Sequence, residues 1–484
     1  MTTMRHLAAL ALLGASLASA AQAQDFDTPP KPGAPRPLSI AAPIEQRLPN
    51  GLRVVLAERR GVQLVTAQLV VLSGSEVDPA QKAGLSAMTA GLLTKGTRRH
   101  SATQLAQAAE SLGGALDSGA GWHQSEVAIT VTVPKIDAAL ALVSEVVQQP
   151  AFAQAELERS RMQALDELKV AYSNPGTLAA LTAQRLLFGA GAYGHPAGGT
   201  PASLARLTRA DLVALHAARF RPDNAVLVLA GDLDAEAALQ LARRHFGAWK
   251  PAGAAPAPAP MPVNASLTTP VVAIDMPQSG QAAVVIASPL PPLGADRATA
   301  AVLNSVLGGG FSSRLNQEIR IRRGLSYGAG SSLDARPDGG SLRAVVQTKT
   351  ESAAEVVTLV QAELDRLAAT PVGNNELAAR KATLIGDFSR SVETTAGLGA
   401  AVKALIVAGL STADLRTRIE SFAAVNAADV QRYAAANLGA AGRRVVVAGE
   451  SAKFADALKA ASPGLVIVPA TQLDLDRATG LGAP

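Results

Sequence analysis

The apolar stretch "NAVLVLAGDL", Asn224 to Leu233, has a counterpart near the end of the chain in "RRVVVAGES", Arg443 to Ser451. Both are apolar runs of strand length that end in Ala-Gly-acid. Each follows an amphipathic helical pattern, "TRADLVALHAARF" or "NAADVQRYAAANL", and each precedes another helical pattern. This repeated helix–strand–helix order predicts that the chain contains two copies of one structural unit.

Outward from these two stretches, the order of segments is similar on both sides of a Pro/Ala-rich linker at residues 251–270. Strands that occur singly and in pairs between long helices are typical of α+β folds. We therefore predict two tandem homologous α+β domains, residues 41–250 and 271–470, each a mixed, mostly antiparallel sheet packed with helices. A Pro-rich leader at 24–40 and a tail at 471–484 flank them. Two unrelated α+β domains are the alternative.

Composition excludes several classes of site. The 484 residues carry a net charge of +5 and include no cysteine, which excludes disulfides, cysteine nucleophiles, thiolate metal sites and iron–sulfur ligation. No dense run of Lys and Arg occurs, so nucleic acid is not a predicted partner. No two histidines have the i,i+3 or i,i+4 spacing that places two ligands on one helix face.

The N-terminus has the pattern of an export signal. A basic segment "MTTMRH", an apolar segment "LAALALLGASLA" and the small-residue site "AQA" predict a signal peptide at residues 1–23 and a periplasmic location. A retained N-terminal anchor helix is the alternative. Because no later apolar run reaches about 18–20 residues, no stable membrane anchor is predicted for the mature chain.

The segment "LGGGFSSRLNQEIRIRRGLSYGAGSS", Leu307 to Ser332, is the most suggestive chemically. Its three glycines break the preceding helix and are expected to leave backbone N–H groups available. Ser312 or Ser313 is predicted to cap a helix that runs through Arg322. No Gly-Lys-Ser/Thr follows the glycines, so a phosphate-binding loop is not predicted.

Arg320 and Tyr327 are predicted to converge across the helix–turn–strand corner of this segment. Arginine offers permanently charged donors and tyrosine a phenolic hydroxyl, and both suit a peptide carbonyl that becomes an oxyanion. From the residues alone, the alternative is that neither residue has a functional role: Arg320 is one of several solvated charges, and Tyr327 is a buried aromatic.

The same segment resembles the C-terminal-domain signature of the pitrilysin/insulinase zinc peptidases, family M16. "LPNGLRVVLAER", "GHPAGGT" and "RPDNAVLVLAGDL" resemble that family as well, so the resemblance covers nearly the whole mature chain. It implies an M16/LuxS-like metallohydrolase fold. It also implies that Arg320 and Tyr327 hold substrate near the scissile bond and stabilise the developing charge. We add Gly309 and Gly310 as expected substrate-binding positions.

The zinc motif of that family, His-x-x-Glu-His, is degenerate in this chain. Its frame is intact as "GLSAMTAGLLTKGT", Gly84 to Thr97, but the three working positions are Ala87, Ala90 and Gly91. None of these side chains can bind a metal or move a proton, so no metal cofactor is predicted in this chain. Glu167 is the nearest equivalent of the family's carboxylate ligand. Without the histidines it is predicted to be an exposed or hydrogen-bonded helix carboxylate.

The resemblance therefore implies a subunit rather than a complete enzyme. In some M16 heterodimers one subunit carries zinc and the other supplies the Arg/Tyr pair. This chain resembles the second kind, which implies a zinc-bearing homologous partner, peptide substrates and no activity of the chain alone. The alternatives are a non-catalytic structural or peptide-binding M16 homologue and a homodimeric peptide-binding protein.

Overall fold

Two six-stranded sheets form the framework of the protein. The computed structural model describes residues 39–253, 269–462, 464–477 and 481, and the described residues from Ile40 onward form one compact unit. The strands are Ile44–Arg47 (β1), Arg53–Glu58 (β2), Leu64–Val71 (β3), Asp117–Ala120 (β4), Ser125–Thr132 (β5), Ala225–Gly231 (β6), Val271–Asp275 (β7), Gln281–Leu290 (β8), Ala329–Asp334 (β9), Gly340–Lys349 (β10), Arg444–Gly449 (β11) and Val466–Pro469 (β12).

Helices cover these sheets. In the N-terminal half they are Leu85–Leu92 (α1), Ala102–Ser111 (α2), Ile136–Gln148 (α3), Gln154–Ser173 (α4), Pro175–Phe188 (α5), Pro201–Arg206 (α6), Arg209–Arg219 (α7) and Ala235–Phe246 (α8). In the C-terminal half they are Arg297–Leu307 (α9), Ala353–Ala369 (α10), Asn374–Ser391 (α11), Thr395–Val407 (α12), Arg418–Ala424 (α13), Ala427–Asn437 (α14) and Ala455–Ala461 (α15).

The two sheets have the same internal topology. Their strand orders are β1-β2-β6-β3-β5-β4 and β12-β7-β11-β8-β10-β9. The apolar strands that end in Ala-Gly, β6 and β11, lie inside their sheets, parallel to β2 and β7 and antiparallel to β3 and β8. The α+β class and the tandem arrangement are therefore confirmed. The edges differ, because β1 pairs antiparallel with β2 whereas β12 pairs parallel with β7.

The strand sequences follow from their positions in the sheet. Strand β5 alternates between buried and partly exposed side chains along most of its length, as expected when helices cover only one face. Strand β6 is buried at every position, so its other face must also be covered. That cover comes from the other half of the chain.

Each half places one helix on the sheet of the other half. Helix α5 packs on β8 and β11, and helix α12 packs on β3 and β6. Leu186 and Phe188 share a core with Val285 and Val446. At the other contact, the hydroxyls of Thr66 and Thr395 lie 2.9 Å apart. The sequence analysis predicted neither helix, and this exchange makes the core of each half depend on the other.

Several sequence predictions fall outside the described residues. The signal peptide at 1–23 lies wholly outside them, and most of the leader, the linker and half of the tail do so as well. Within the described ranges, no helix is both long enough and apolar enough to cross a membrane.

Candidate functional site

Helix α1 carries the degenerate zinc motif and begins directly after Gly84, whose φ of 89° is left-handed. A Cβ at Gly84 would lie 2.9 Å from the carbonyl oxygen of Gly198, so glycine is required there. The buried Asp78 carboxylate receives hydrogen bonds from Gly84 N–H at 3.1 Å, Ser86 N–H at 3.0 Å and the Ser86 hydroxyl at 2.5 Å. Asp78 thus anchors the start of α1, a role that the sequence analysis missed.

The three altered motif positions do not all face the same space. Ala87 and Gly91, four residues apart, line a cavity of about 500 Å³, whereas Ala90 does not line it and is fully buried, at 0 % exposure. Glu167, on α4, also lines the cavity and accepts a hydrogen bond of 2.9 Å from the Gln163 side chain. Glu167 is therefore the hydrogen-bonded helix carboxylate that the sequence predicted.

The cavity is polar but does not fit zinc. Its polar lining includes Thr94, Lys95, Asp117, Ser118, Ser160 and Gln163. A catalytic zinc site needs three protein ligands, and the positions that would supply two imidazoles carry a methyl group and a hydrogen. No group of three or more His, Asp or Glu side chains that could hold a metal ion occurs among the described residues.

The histidines occupy other structural roles. His216 is packed between Phe152 and Phe220, and its Nε2 lies 2.7 Å from the Val147 carbonyl oxygen. Burial lowers the pKa of His216, which favours the neutral ring. His216 therefore has a packing role.

His123 and His195 instead meet in one aromatic cluster. The His123 ring lies 5.5 Å from that of Tyr193, and the His195 ring lies 5.6 Å from that of Trp122. The Arg336 guanidinium, from the C-terminal half, lies 4.3 Å from the centroids of the Trp122 and Tyr193 rings. Burial lowers the pKa of both histidines. The cluster therefore packs the two halves together, a role that residue spacing did not predict.

The segment around Arg320 differs in form from the prediction. Residues Asn316–Arg322 form a π-helix, and no Ser side chain caps it. The Ser312 hydroxyl instead accepts a hydrogen bond of 2.5 Å from Arg380, and the Ser313 hydroxyl is buried without a partner among the described residues. The predicted serine cap was wrong, because the Ser312 hydroxyl bonds to Arg380 and the Ser313 hydroxyl is buried.

The glycines before the π-helix are held by close backbone contacts. A Cβ at Gly309 would lie 2.7 Å from the Ser305 Cα, so a larger residue would displace the chain. The Gly309 N–H donates to the Asn304 carbonyl oxygen at 2.9 Å and is not available to a ligand. Gly310 is exposed, and its N–H has no acceptor among the described residues. The expectation of available N–H groups therefore holds only for Gly310.

Arg320 and Tyr327 lie together, as the spacing predicted. The Arg320 Cζ lies 4.9 Å from the centroid of the Tyr327 ring, and it lies at the same distance from the Phe311 ring. Tyr327 is not buried: it is 91 % exposed, and Phe311 is 63 % exposed. Phe311 was not predicted as a site residue, although an aromatic directly after three glycines is a usable signal in the sequence.

Arg320 also differs from the neighbouring arginines. Arg322 and Arg323 both form ion pairs of 2.9 Å with Glu318, and Arg314 pairs with Glu376 at 2.8 Å. Among the described residues no acid pairs with Arg320, whose guanidinium instead lies against the Phe311 and Tyr327 rings. The pattern "EIRIRR" therefore contains two arginines, Arg322 and Arg323, that pair with an acid, and one, Arg320, that contacts aromatic rings.

Comparison with known proteins bears on this arrangement. Residues 53–190 match the sequence profile described as insulinase, peptidase family M16, and residues 206–384 match the profile described as the peptidase M16 inactive domain. An uncharacterized zinc protease of Mycobacterium tuberculosis is 31 % identical over 361 residues, which cover 74 % of this chain and 82 % of that protein. The chain belongs to the M16 peptidase family.

Two further relatives indicate which kind of M16 protein this is. The M16 inactive-domain structure from Pseudomonas fluorescens aligns with a TM-score of 0.79 and 26 % identity, covering 84 % of this chain and 98 % of that one. A Helicobacter pylori protein named non-peptidase homolog YmxG is 27 % identical over 319 residues, 65 % of this chain and 73 % of that protein. With alanine and glycine in its zinc motif, this chain is an inactive-type M16 member.

Proposed function

We propose that this chain is the zinc-lacking subunit of a heterodimeric periplasmic M16 metallopeptidase. In this proposal Arg320 and Tyr327 bind the peptide and stabilise its transition state, while a homologous partner holds the zinc and the general base. The observation that carries the proposal is the state of Arg320, a partly buried arginine that contacts two aromatic rings and has no acid paired with it among the described residues.

The contacts with the two rings suit this role physically. Aromatic rings attract the charge of a guanidinium but do not take up its N–H donors as a carboxylate would, so these donors stay available to a ligand. A negative oxygen that develops beside Arg320 meets a charge that is already positioned and that no carboxylate neutralises, which is the condition for electrostatic stabilisation. The Tyr327 hydroxyl offers a second donor from an exposed ring.

The test is reconstitution. The chain alone is expected to hold no stoichiometric zinc by metal analysis and to cleave no peptide, whereas the mixture with a zinc-bearing M16 homologue from the same cell is expected to cleave peptides. Arg320→Ala or Tyr327→Phe should lower kcat of the mixture by about 10²–10³, the effect of losing one oxyanion donor. Arg322→Ala, which removes an arginine already paired with Glu318, is the matched control.

Two results would contradict the proposal. One is a tightly bound zinc ion in the isolated chain, and the other is unchanged turnover of the mixture in both the Arg320 and Tyr327 variants. The periplasmic part rests on the pattern of residues 1–23, and fractionation of cells that express the tagged chain tests it separately.

A second candidate is a peptide-binding M16 homologue without a catalytic partnership. The exposure of Phe311 and Tyr327 favours it, because exposed aromatic rings are common in binding surfaces. In that case the chain alone, as monomer or homodimer by size-exclusion, binds peptides with an affinity that Arg320→Ala lowers. No zinc-bearing homologue would then gain activity from it.

A further inference from the structure

A second cavity, of about 350 Å³, lies in the C-terminal half, and neither Arg320 nor Tyr327 lines it. It is bounded by α9, β9, α11, α12 and the turn that leads to α13. Its apolar wall includes Leu293, Leu333, Phe388, Leu405, Leu410 and Leu415. Helix α12 contributes Leu405 to this wall together with the small side chains of Ala401 and Ala404, which leave open space beside the helix, and Ala408 follows its end.

Three charged side chains line the same cavity, and their charges do not balance. The Arg297 Nη2 lies 2.6 Å from the Asp414 Oδ2, while the Arg297 Nε is buried without an acceptor among the described residues. The Arg418 guanidinium lies 4.6 Å from the centroid of the Phe422 ring. The cavity lining thus contains two arginines, Arg297 and Arg418, and one carboxylate, that of Asp414. One positive charge is therefore in excess beside the apolar wall.

The environment of Arg418 agrees with this imbalance. Burial lowers the pKa of Arg418, and the neighbouring charge of Arg297 lowers it further, while Asp414 opposes both effects. Arg418 is partly buried, and a partly buried cation that lacks its own counter-ion carries a desolvation cost that no partner offsets. A ligand that brings one negative charge into this cavity would remove that cost.

We propose that this cavity binds a carboxylate attached to an apolar group of about ten carbon atoms or fewer. The carboxylate lies between Arg297 and Arg418, and the apolar group lies along the alanines of α12 and against Phe388. At about 30 Å³ per water-sized group, the cavity accommodates about a dozen non-hydrogen atoms. A medium-chain fatty acid and the C-terminal residue of an apolar peptide share this chemistry. The proposal is independent of the role of Arg320.

The first test uses the unmodified chain. Titration calorimetry is carried out with decanoate and with N-acetyl-leucine, each beside its uncharged counterpart, decanol and N-acetyl-leucinamide. At least one acid is expected to bind at one site per chain, about tenfold or more tighter than its counterpart, because the arginines recognise the charge. Tighter binding of decanoate identifies a fatty acid as the ligand, and tighter binding of N-acetyl-leucine identifies a peptide end.

Variants then locate the site. Arg418→Gln should weaken acid binding about tenfold or more, whereas Arg432→Gln, which changes an exposed arginine paired with Asp429, should not. Ala404→Trp fills the cavity from an exposed helix position and should abolish binding, whereas Ala436→Trp on α14 should leave it intact. The proposal is overturned if neither acid binds, if the uncharged counterparts bind as tightly, or if folded Arg418→Gln and Ala404→Trp bind as the parent does.

Discussion

The two halves of this protein have sheets of the same topology but carry different candidate sites. Both have the same order of five strands, with one parallel pair inside an otherwise mostly antiparallel sheet. In the N-terminal half the motif helix borders a cavity at Ala87 and Gly91. In the C-terminal half the candidate site is a partly buried arginine, Arg320, that contacts two exposed aromatic rings. The same sheet topology therefore forms around site residues of different chemistry.

The fold tolerates the loss of zinc ligands because helix α1 is stabilised by residues other than the motif positions. Helix α1 is held by Asp78 at its start and by buried side chains such as Leu85 and Leu92, which are not motif positions. Replacing ligands by small residues at Ala87 and Gly91 therefore leaves these contacts in place. Burial of apolar surface, rather than any site residue, supplies the main stabilisation.

The largest effect is expected from returning metal ligands to the N-terminal half. Ala87→His combined with Gly91→His places two imidazoles on the cavity wall that Glu167 also lines, and a Cβ at Gly91 meets no atom within 4 Å. The double variant should bind zinc at least about a hundredfold tighter than either single variant, because the ligands act together. Titration calorimetry with zinc measures this. Equal binding by a single variant would show that the helix no longer presents the site.

The next largest effect tests the exchange of helices. Leu186→Ala, on α5, should lower the free energy of unfolding by about 2–5 kcal/mol, and it should increase hydrogen exchange in β8 and β11 of the other half. Leu140→Ala, on α3, is the matched control, because Leu140 is equally buried but belongs to the core of its own half. The exchange would be unimportant if both variants loosened only the N-terminal sheet.

Asp78 provides a prediction on the helix that lost its ligands. Asp78→Asn should lower the free energy of unfolding by about 1–3 kcal/mol, because the amide cannot accept from all the donors at the start of α1. Ser111→Ala, which removes an exposed hydroxyl bonded only within α2, is a mild control. Unchanged stability would mean that α1 is held by its apolar contacts alone.

The same residue predicts a pH dependence. Burial raises the pKa of the Asp78 carboxyl from 3.8 to about 7, against the hydrogen bonds from Ser86 and Gly84. Between about pH 4 and pH 7 the folded protein therefore keeps a proton that the unfolded chain has released. The contribution of Asp78 to the free energy of unfolding should fall as pH rises through this window. Denaturation at several pH values should show a smaller decline in Asp78→Asn.

The smallest effect concerns the ion pair that joins α12 to the N-terminal sheet. The Lys403 Nζ lies 2.7 Å from the Glu126 carboxylate, and both side chains are partly exposed. Lys403→Met should lower the free energy of unfolding by about 1 kcal/mol or less, and the difference should shrink in high salt. A loss several times larger would indicate that the pair, rather than the apolar core, sets how the halves associate.

The sequence predicted most elements but missed those that connect the halves. Helix α7 and strand β6 were recognised because their hydrophobic patterns are local. Helix α12, "TAGLGAAVKALIV", is apolar on nearly every side, so it offers no amphipathic stripe. Helix α5 begins with "NPG", which resembles a turn, although Asn174 caps it and Pro175 occupies its first position. The Asn174–Pro175 pair could therefore have predicted the start of α5.

The sequence by itself determined the class of fold, the duplication, the loss of zinc ligands at Ala87, Ala90 and Gly91, and the proximity of Arg320 to Tyr327. The proximity of Arg320 to Tyr327 depends on short spacing, the fold class and the duplication depend on the repeated order of apolar patterns, and the loss of zinc ligands depends on the resemblance to the M16 motif. Only the tertiary structure decided that Ala90 is buried, that Phe311 completes the stack on Arg320, and that α5 and α12 cover the opposite sheets. Those features arise from packing between segments that are far apart in the chain, and no local pattern encodes which distant surface a helix will cover.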